Sequence, residues 1–206
     1  LVDLIDEAFR LHAARTAYVG FGVGMSFGEL DSRSRAFAAW LQSTGLRRGD
    51  RVALMMPNVL QYPVALAGVL RAGMVIVNVN PLYTARELEH QLKDSGARAI
   101  VILENFAHVL DQVVANTSIE SVVVTGMGDL LGGLKGMLVN AVVKHVKKMV
   151  PAWNWPEALS FRAVLKRGES LALQPVQVGH QDLAVLQYTG GTTGVSKGAA
   201  LSHRNL

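Results

Sequence analysis

The chain's 206 residues are 50% hydrophobic and 17% charged, which is enough apolar material for one domain or one large lobe and excludes a disordered tail. Cysteine is absent, which excludes a disulfide framework and a Cys-ligated metal and fits a reducing compartment. The formal net charge of +4 raises nucleic acid as a partner, but aromatics are only 6% and no recognition motif occurs, so no nucleic acid is expected.

In chain order, Leu4, Ile5, Ala8, Phe9 and His12 recur at helical spacing and predict a helix over residues 2–13. Residues 18–21 and 23–25 read as a hairpin around Gly22. Ser26 and Glu29 form a capping box that starts a helix running toward Thr44, where Gly45 stops it. A strand over 51–56 leads through Pro57 to a helix over 60–71 that ends at Gly73, and a strand over 74–79 follows. Thr84 and Glu87 form a second capping box, for a helix that ends at Gly96. A strand over 98–103, a helix over 106–115 and a strand over 121–125 complete a β-α-β-α-β series. Such alternation predicts a mainly parallel sheet with helices on both faces, and a ligand site beyond the carboxyl ends of its strands.

Residues 126–155 break the alternation. On a helical projection of 134–150, Asn140, Lys144, Lys147 and Lys148 share one face, and Leu138, Ala141, Val142, Val146 and Met149 share the other. Two readings fit: a surface helix with its apolar side on the core, and a helix lying on an anionic bilayer. Glycine, asparagine and lysine interrupt every apolar stretch before it could span a membrane. The first residues contain Asp3, Asp6 and Glu7, so no signal peptide is visible. The chain opens on Leu1, not methionine, so a trimmed beginning is expected, and with it a trimmed end at Leu206.

After an apolar run over 183–188, a strand by its length and bounding residues, come Tyr188, Thr189, Gly190, Gly191, Thr192, Thr193, Gly194, Val195, Ser196, Lys197, Gly198 and Ala199. These are the candidate ligand-binding residues. The glycines allow positive φ and close backbone approach, so that successive N–H groups converge on anionic oxygens. The three threonine hydroxyls add short donors, and Lys197 adds a point charge for a terminal phosphate. A Walker A loop needs glycine directly before its lysine and a hydroxyl directly after; here Ser196 precedes Lys197 and Gly198 follows it, so that reading fails. Of the histidines His12, His90, His108, His145, His180 and His203, none has the paired spacing of a metal site. All but His203, close in sequence to the loop, read as structural, and Asp182 reads as a strand-end residue. No catalytic residue is assigned.

From Leu186 through Lys197 the run resembles the AMP-binding signature of the adenylate-forming enzymes, the superfamily of acyl-CoA synthetases, luciferases and peptide-synthetase adenylation domains. Pro57 to Pro63, Arg71-Ala72-Gly73, Val77 to Leu92 and the basic segment from Leu138 to Trp153 look like the bacterial long-chain fatty-acid CoA ligases. The first of these blocks is shared across the superfamily; the basic segment points to the long-chain branch. The resemblance implies an α/β fold of mainly parallel sheets flanked by helices, the N-terminal lobe of the adenylate-forming fold, incomplete in this chain. Residues 1–206 would be the N-terminal part of the large AMP-binding domain. Within them, 1–125 form a β-α-β lobe, 126–156 a basic amphipathic insertion, and 182–206 the strand, the phosphate loop and the start of the next helix, capped by Ser202. A C-terminal domain with a catalytic lysine is expected outside the chain, as are the adenine site and acyl pocket, so the fragment alone is expected to be inactive.

The implied chemistry is attack of a carboxylate on the α-phosphate of ATP, giving acyl-adenylate and pyrophosphate, then displacement of AMP by coenzyme A. Magnesium is the implied cofactor, with Thr189 offering a hydroxyl. ATP, fatty acid and coenzyme A are the implied partners, in the cytoplasm or peripherally on the inner face of the cell membrane; homodimerisation stays open. Two rivals share the loop: an adenylate-forming ligase for short-chain, aryl or amino acids, and an inert binding or membrane-docking lobe.

Overall fold

The computed structural model describes residues 1–189 and 196–206. Helix α1 (Val2–Leu11) is followed by a hairpin of β1 (Thr16–Gly20) and β2 (Val23–Ser26), turned by Phe21 and Gly22, both at positive φ. Helix α2 (Phe27–Ser43) starts on the predicted capping box, with the Ser26 hydroxyl accepting from the Glu29 N–H and the Glu29 carboxylate accepting from the Ser26 N–H. Strand β3 (Arg51–Met55), helix α3 (Gln61–Arg71), β4 (Val75–Asn78), helix α4 (Ala85–Ser95) and β5 (Ala97–Leu103) follow. The second capping box, Thr84 with Glu87, starts α4, and Gly96 ends it in the left-handed region at φ 61°, where a side chain is unfavourable. The helix predicted over 106–115 is shorter: α5 (Ala107–Asp111) lies between two 3-10 turns.

Strands β6 (Ser121–Thr125), β7 (Leu159–Ser160), β8 (Leu183–Thr189) and β9 (Lys197–Ser202) complete one seven-stranded sheet in the order β7-β6-β5-β3-β4-β8-β9. Every pairing is parallel except that of β8 with β9. Buried on both faces, β3, β4 and β5 read as continuous apolar runs. One face packs against α1, α2, α3 and α7 (Phe161–Gly168), centred on Phe37 and Phe161, whose rings lie 5.3 Å apart. The other packs against α4 and α5 through Leu88, Leu92 and Leu110. Arg71, its side chain 2% exposed, ties α3 to α1 and α2 through Asp6 and Asp31 and lies over the Phe9 ring.

Two expectations are corrected. The residues after the loop do not start a helix: Lys197–Ser202 return antiparallel to β8 as β9, and Ser202 closes that strand with its N–H and hydroxyl both donating to the Asn205 side chain. The basic segment is not one regular helix. It is α6 (Gly133–Ala141), continued by a π-helical stretch Val142–Val146, and Lys148 has φ 50°. The sequence projection assumed an unbroken 3.6-residue period, and the π stretch puts Lys147 and Lys148 out of phase with the residues before them.

Candidate functional site

Because β8 runs parallel to β4, Thr189 lies at the carboxyl end of the sheet, beyond which ligands of open α/β sheets bind. Thr189 pairs with Lys197, so β8 ends and β9 begins at that edge. Gly190, Gly191, Thr192, Thr193, Gly194 and Val195 fall outside the described residues. Thr189, Lys197, Gly198 and Ala199 are exposed.

The hairpin is fastened to α4. Tyr188 is buried, and its hydroxyl donates to the Asp94 carboxylate at 2.5 Å. Burial, and then the Asp94 charge, push its pKa well above the ordinary phenol range. The Tyr188 side chain therefore belongs to the packing between the sheet and α4. Its cross-strand partner is Gly198, where a Cβ would stand 2.9 Å from the tyrosine ring, so glycine is needed there for close approach. Just before the second strand, His90 Nε2 lies 3.4 Å from the Ser196 carbonyl oxygen. From sequence alone His90 reads as structural, because no spacing rule links it to Ser196, 106 residues further on.

Beneath Thr189, a polar chain joins the carboxyl ends of β4 and β8. Asn78 donates to the Gln187 side chain at 2.8 Å and accepts from the Tyr62 hydroxyl at 2.9 Å, and Gln91 of α4 donates to the Asn78 carbonyl at 2.7 Å. Burial raises the Tyr62 pKa against the opposing Asn78 bond. His203, the one histidine assigned to the loop's neighbourhood, lies at the other end of the hairpin, since Leu183 pairs with Ser202. Six residue steps along β8 at ~3.3 Å each separate it from Thr189 by roughly 20 Å. Burial lowers its pKa, its Nδ1 lacks a partner, and its N–H donates to the Asp182 carbonyl. Asp182 is the strand-end residue expected: its carboxylate accepts from the Gly179 N–H and from Arg48, and its pKa is lowered by those bonds in that order.

Helix α6 turns its polar side inward. Asn140, expected on the solvated basic face, accepts from the Gly128 N–H at 2.6 Å and donates to Asp129 at 2.9 Å. Asp129 in turn accepts from Thr125, to which Gln61 donates. Gly136 meets Gly128 so closely that a Cβ on it would lie 2.4 Å from the Gly128 carbonyl oxygen. Outward stand Leu134, 85% exposed, Met137, 65% exposed, and Leu138. Val139 packs against the core, while Leu138, Val146 and Met149 of the predicted apolar face are exposed. Lys144 pairs with Glu104 at 2.7 Å, and Lys147 and Lys148 are exposed. No helix among the described residues is long and apolar enough to cross a membrane.

A parallel α/β sheet with a glycine- and threonine-rich loop at the carboxyl end of one strand is the setting of a nucleotide site, and residues 5–206 match the model of the AMP-binding enzymes. The chain belongs to that family. It is 58% identical, over its whole length, to the long-chain-fatty-acid–CoA ligase of Salmonella typhimurium, and spans 37% of that protein. The Bacillus subtilis ligase of the same name is 35% identical over 98% of the chain, which spans 36% of it. Among solved structures, a long-chain-fatty-acid–CoA ligase from Archaeoglobus fulgidus superposes with TM-score 0.72 at 26% identity, over 98% of this chain and 36% of that one. An anthranilate–CoA ligase in complex with anthranoyl-AMP has the same fold, with TM-score 0.79 at 21% identity, over 98% of this chain and 34% of that one.

Proposed function

We propose that the protein to which this chain belongs activates long-chain fatty acids with ATP, releasing pyrophosphate to form an acyl-adenylate that coenzyme A then converts to acyl-CoA and AMP. The observation that carries this reading is the 58% identity to the Salmonella ligase across the whole chain, together with a loop of the right composition at the carboxyl end of β8. The chain contributes the phosphate loop. N–H groups and hydroxyls of residues 189–196, with Lys197, hold the β and γ phosphates while charge develops on the leaving pyrophosphate. Catalysis here is positioning and electrostatics, with no covalent bond to the protein. The exposed Thr189 hydroxyl is a hard oxygen suited to Mg²⁺. Polyphosphate oxygens would be further hard ligands for the ion. Bound there, Mg²⁺ would neutralise phosphate charge.

The outward apolar face of α6, flanked by Lys147 and Lys148, supports a second element of the reading, peripheral contact with an anionic membrane. The substrate class is tested by acid-dependent ATP–pyrophosphate exchange in the full-length protein. Palmitate is expected to support exchange at least about a hundredfold better than acetate or benzoate, since each buried methylene contributes about 0.8 kcal/mol. Equal exchange with benzoate would favour an aryl-acid ligase instead.

A further inference from the structure

Helix α4 touches β8 and the residue just before β9 from one face. Asp94 and His90 are four residues apart, hence one turn, and meet the two sides of the hairpin: Asp94 the Tyr188 hydroxyl of β8 at 2.5 Å, His90 the carbonyl of Ser196, just before β9, at 3.4 Å. Each contact falls one residue before a group of the phosphate loop, Thr189 on one strand and Lys197 on the other. The helix itself is held firmly. Its start is capped by Thr84 and Glu87, its Leu88 and Leu92 are fully buried, and Gln91 donates to the carbonyl of Asn78 at the end of β4. The Tyr188 ring has no slack against Gly198, so the Asp94 bond fixes how deep the ring sits and thereby where both strand ends lie.

We infer that Asp94 and His90 are positioning residues for the phosphate loop, acting on Thr189 through the Tyr188 hydroxyl and on Lys197 through the Ser196 carbonyl. A hydroxyl–carboxylate bond is not required to bury a tyrosine ring; it is required to hold it at one depth. Donors to a phosphate lose strength as they are displaced or misaligned, so the fixed depth matters to the ligand more than to the core. The inference rests on the reading of residues 189–197 as the polyphosphate site, and makes α4 the seat of that site.

The test uses the full-length protein, with MgATP binding measured by calorimetry beside KM for ATP, KM for palmitate and the melting temperature. Asp94→Ala and Tyr188→Phe are each expected to weaken MgATP binding about tenfold, the worth of one charge-assisted hydrogen bond, and the double variant to be no worse than either. Asp94→Asn, which keeps an acceptor for the hydroxyl, should recover most of the loss. His90→Ala should cost about threefold, its contact being long. KM for palmitate should not move. MgATP binding at parental strength in a folded Asp94→Ala protein, or losses that multiply in the double variant, would overturn the inference. If Asp94→Ala fails to fold, Tyr188→Phe, which keeps the ring, decides alone. A parent that does not bind MgATP sinks the nucleotide reading; a parent that binds beside unaffected variants sinks only the role of α4.

Discussion

Tyr188 shows how a single residue can belong to a binding motif and to the core at once. Its ring packs against Gly198 and among the apolar side chains beneath α4, and its hydroxyl is taken by Asp94. Burial first and the carboxylate second raise its pKa, so the folded protein keeps the phenol protonated after an unfolded chain, near pH 10, has begun to lose it. The native state then binds more protons than the unfolded one, and stability, full below about pH 10, is lost as pH rises toward the folded pKa. Urea midpoints of the full-length protein between about pH 9 and 11 should therefore fall more steeply for the parent than for Tyr188→Phe. Parallel slopes would mean that the phenol is not held as described.

At the scale of elements, those specified by local chemistry were legible in the sequence and those specified by partners were not. Two capping boxes and the left-handed Gly96 placed α2 and α4, because a cap is a bond between residues three apart. The parallel strands followed from the alternation of strands and helices, and β3 and β5 are indeed apolar along nearly their whole length. Strand β9 was not legible: Lys197 to Ser202 is exposed along most of its length and exists because β8 offers it an edge. The two-residue β7 carries too little pattern to read alone, whereas α7 has a legible one, Phe161, Val164, Leu165 and Gly168 on one face behind the Ser160 cap, which the sequence reading passes over. Helix α6 was misread because Asn140 looks like a solvated residue until Gly128 and Asp129 supply its partners. With its polar side thus engaged, α6 presents Leu134, Met137 and Leu138 outward on a fixed support. If that face meets anionic lipid, Lys147→Gln with Lys148→Gln should weaken flotation of the full-length protein with phosphatidylserine-containing vesicles by about 1 kcal/mol per lysine at low salt. Leu134→Ser with Leu138→Ser should do so at any salt. Parental flotation in both pairs would remove the membrane from the account.

Across the whole molecule, one end of the sheet carries everything assigned to ligand. Thr189 and Lys197, the Tyr62–Asn78–Gln187 chain, and the α4 contacts all gather where β4 and β8 finish, while Asp182, Arg48 and His203 close the opposite end. This placement was legible as soon as the loop was seen to follow a strand, because a parallel sheet leaves its ligands only the carboxyl end. What was not legible is the support beneath the loop, assembled from α4 and β4, which lie about a hundred residues earlier in the chain and are joined to it only by folding. The chain spans 37% of its Salmonella relative, and the part proposed for it in the reaction is to hold the polyphosphate. Palmitate-dependent pyrophosphate exchange into ATP, compared between the full-length parent and Lys197→Ala, tests that part most directly. The account predicts a rate at least about a hundredfold lower in the variant, the size expected for losing one preorganised electrostatic contact to the leaving group, with an unchanged melting temperature because Lys197 is exposed. Equal exchange rates in the two proteins would contradict it.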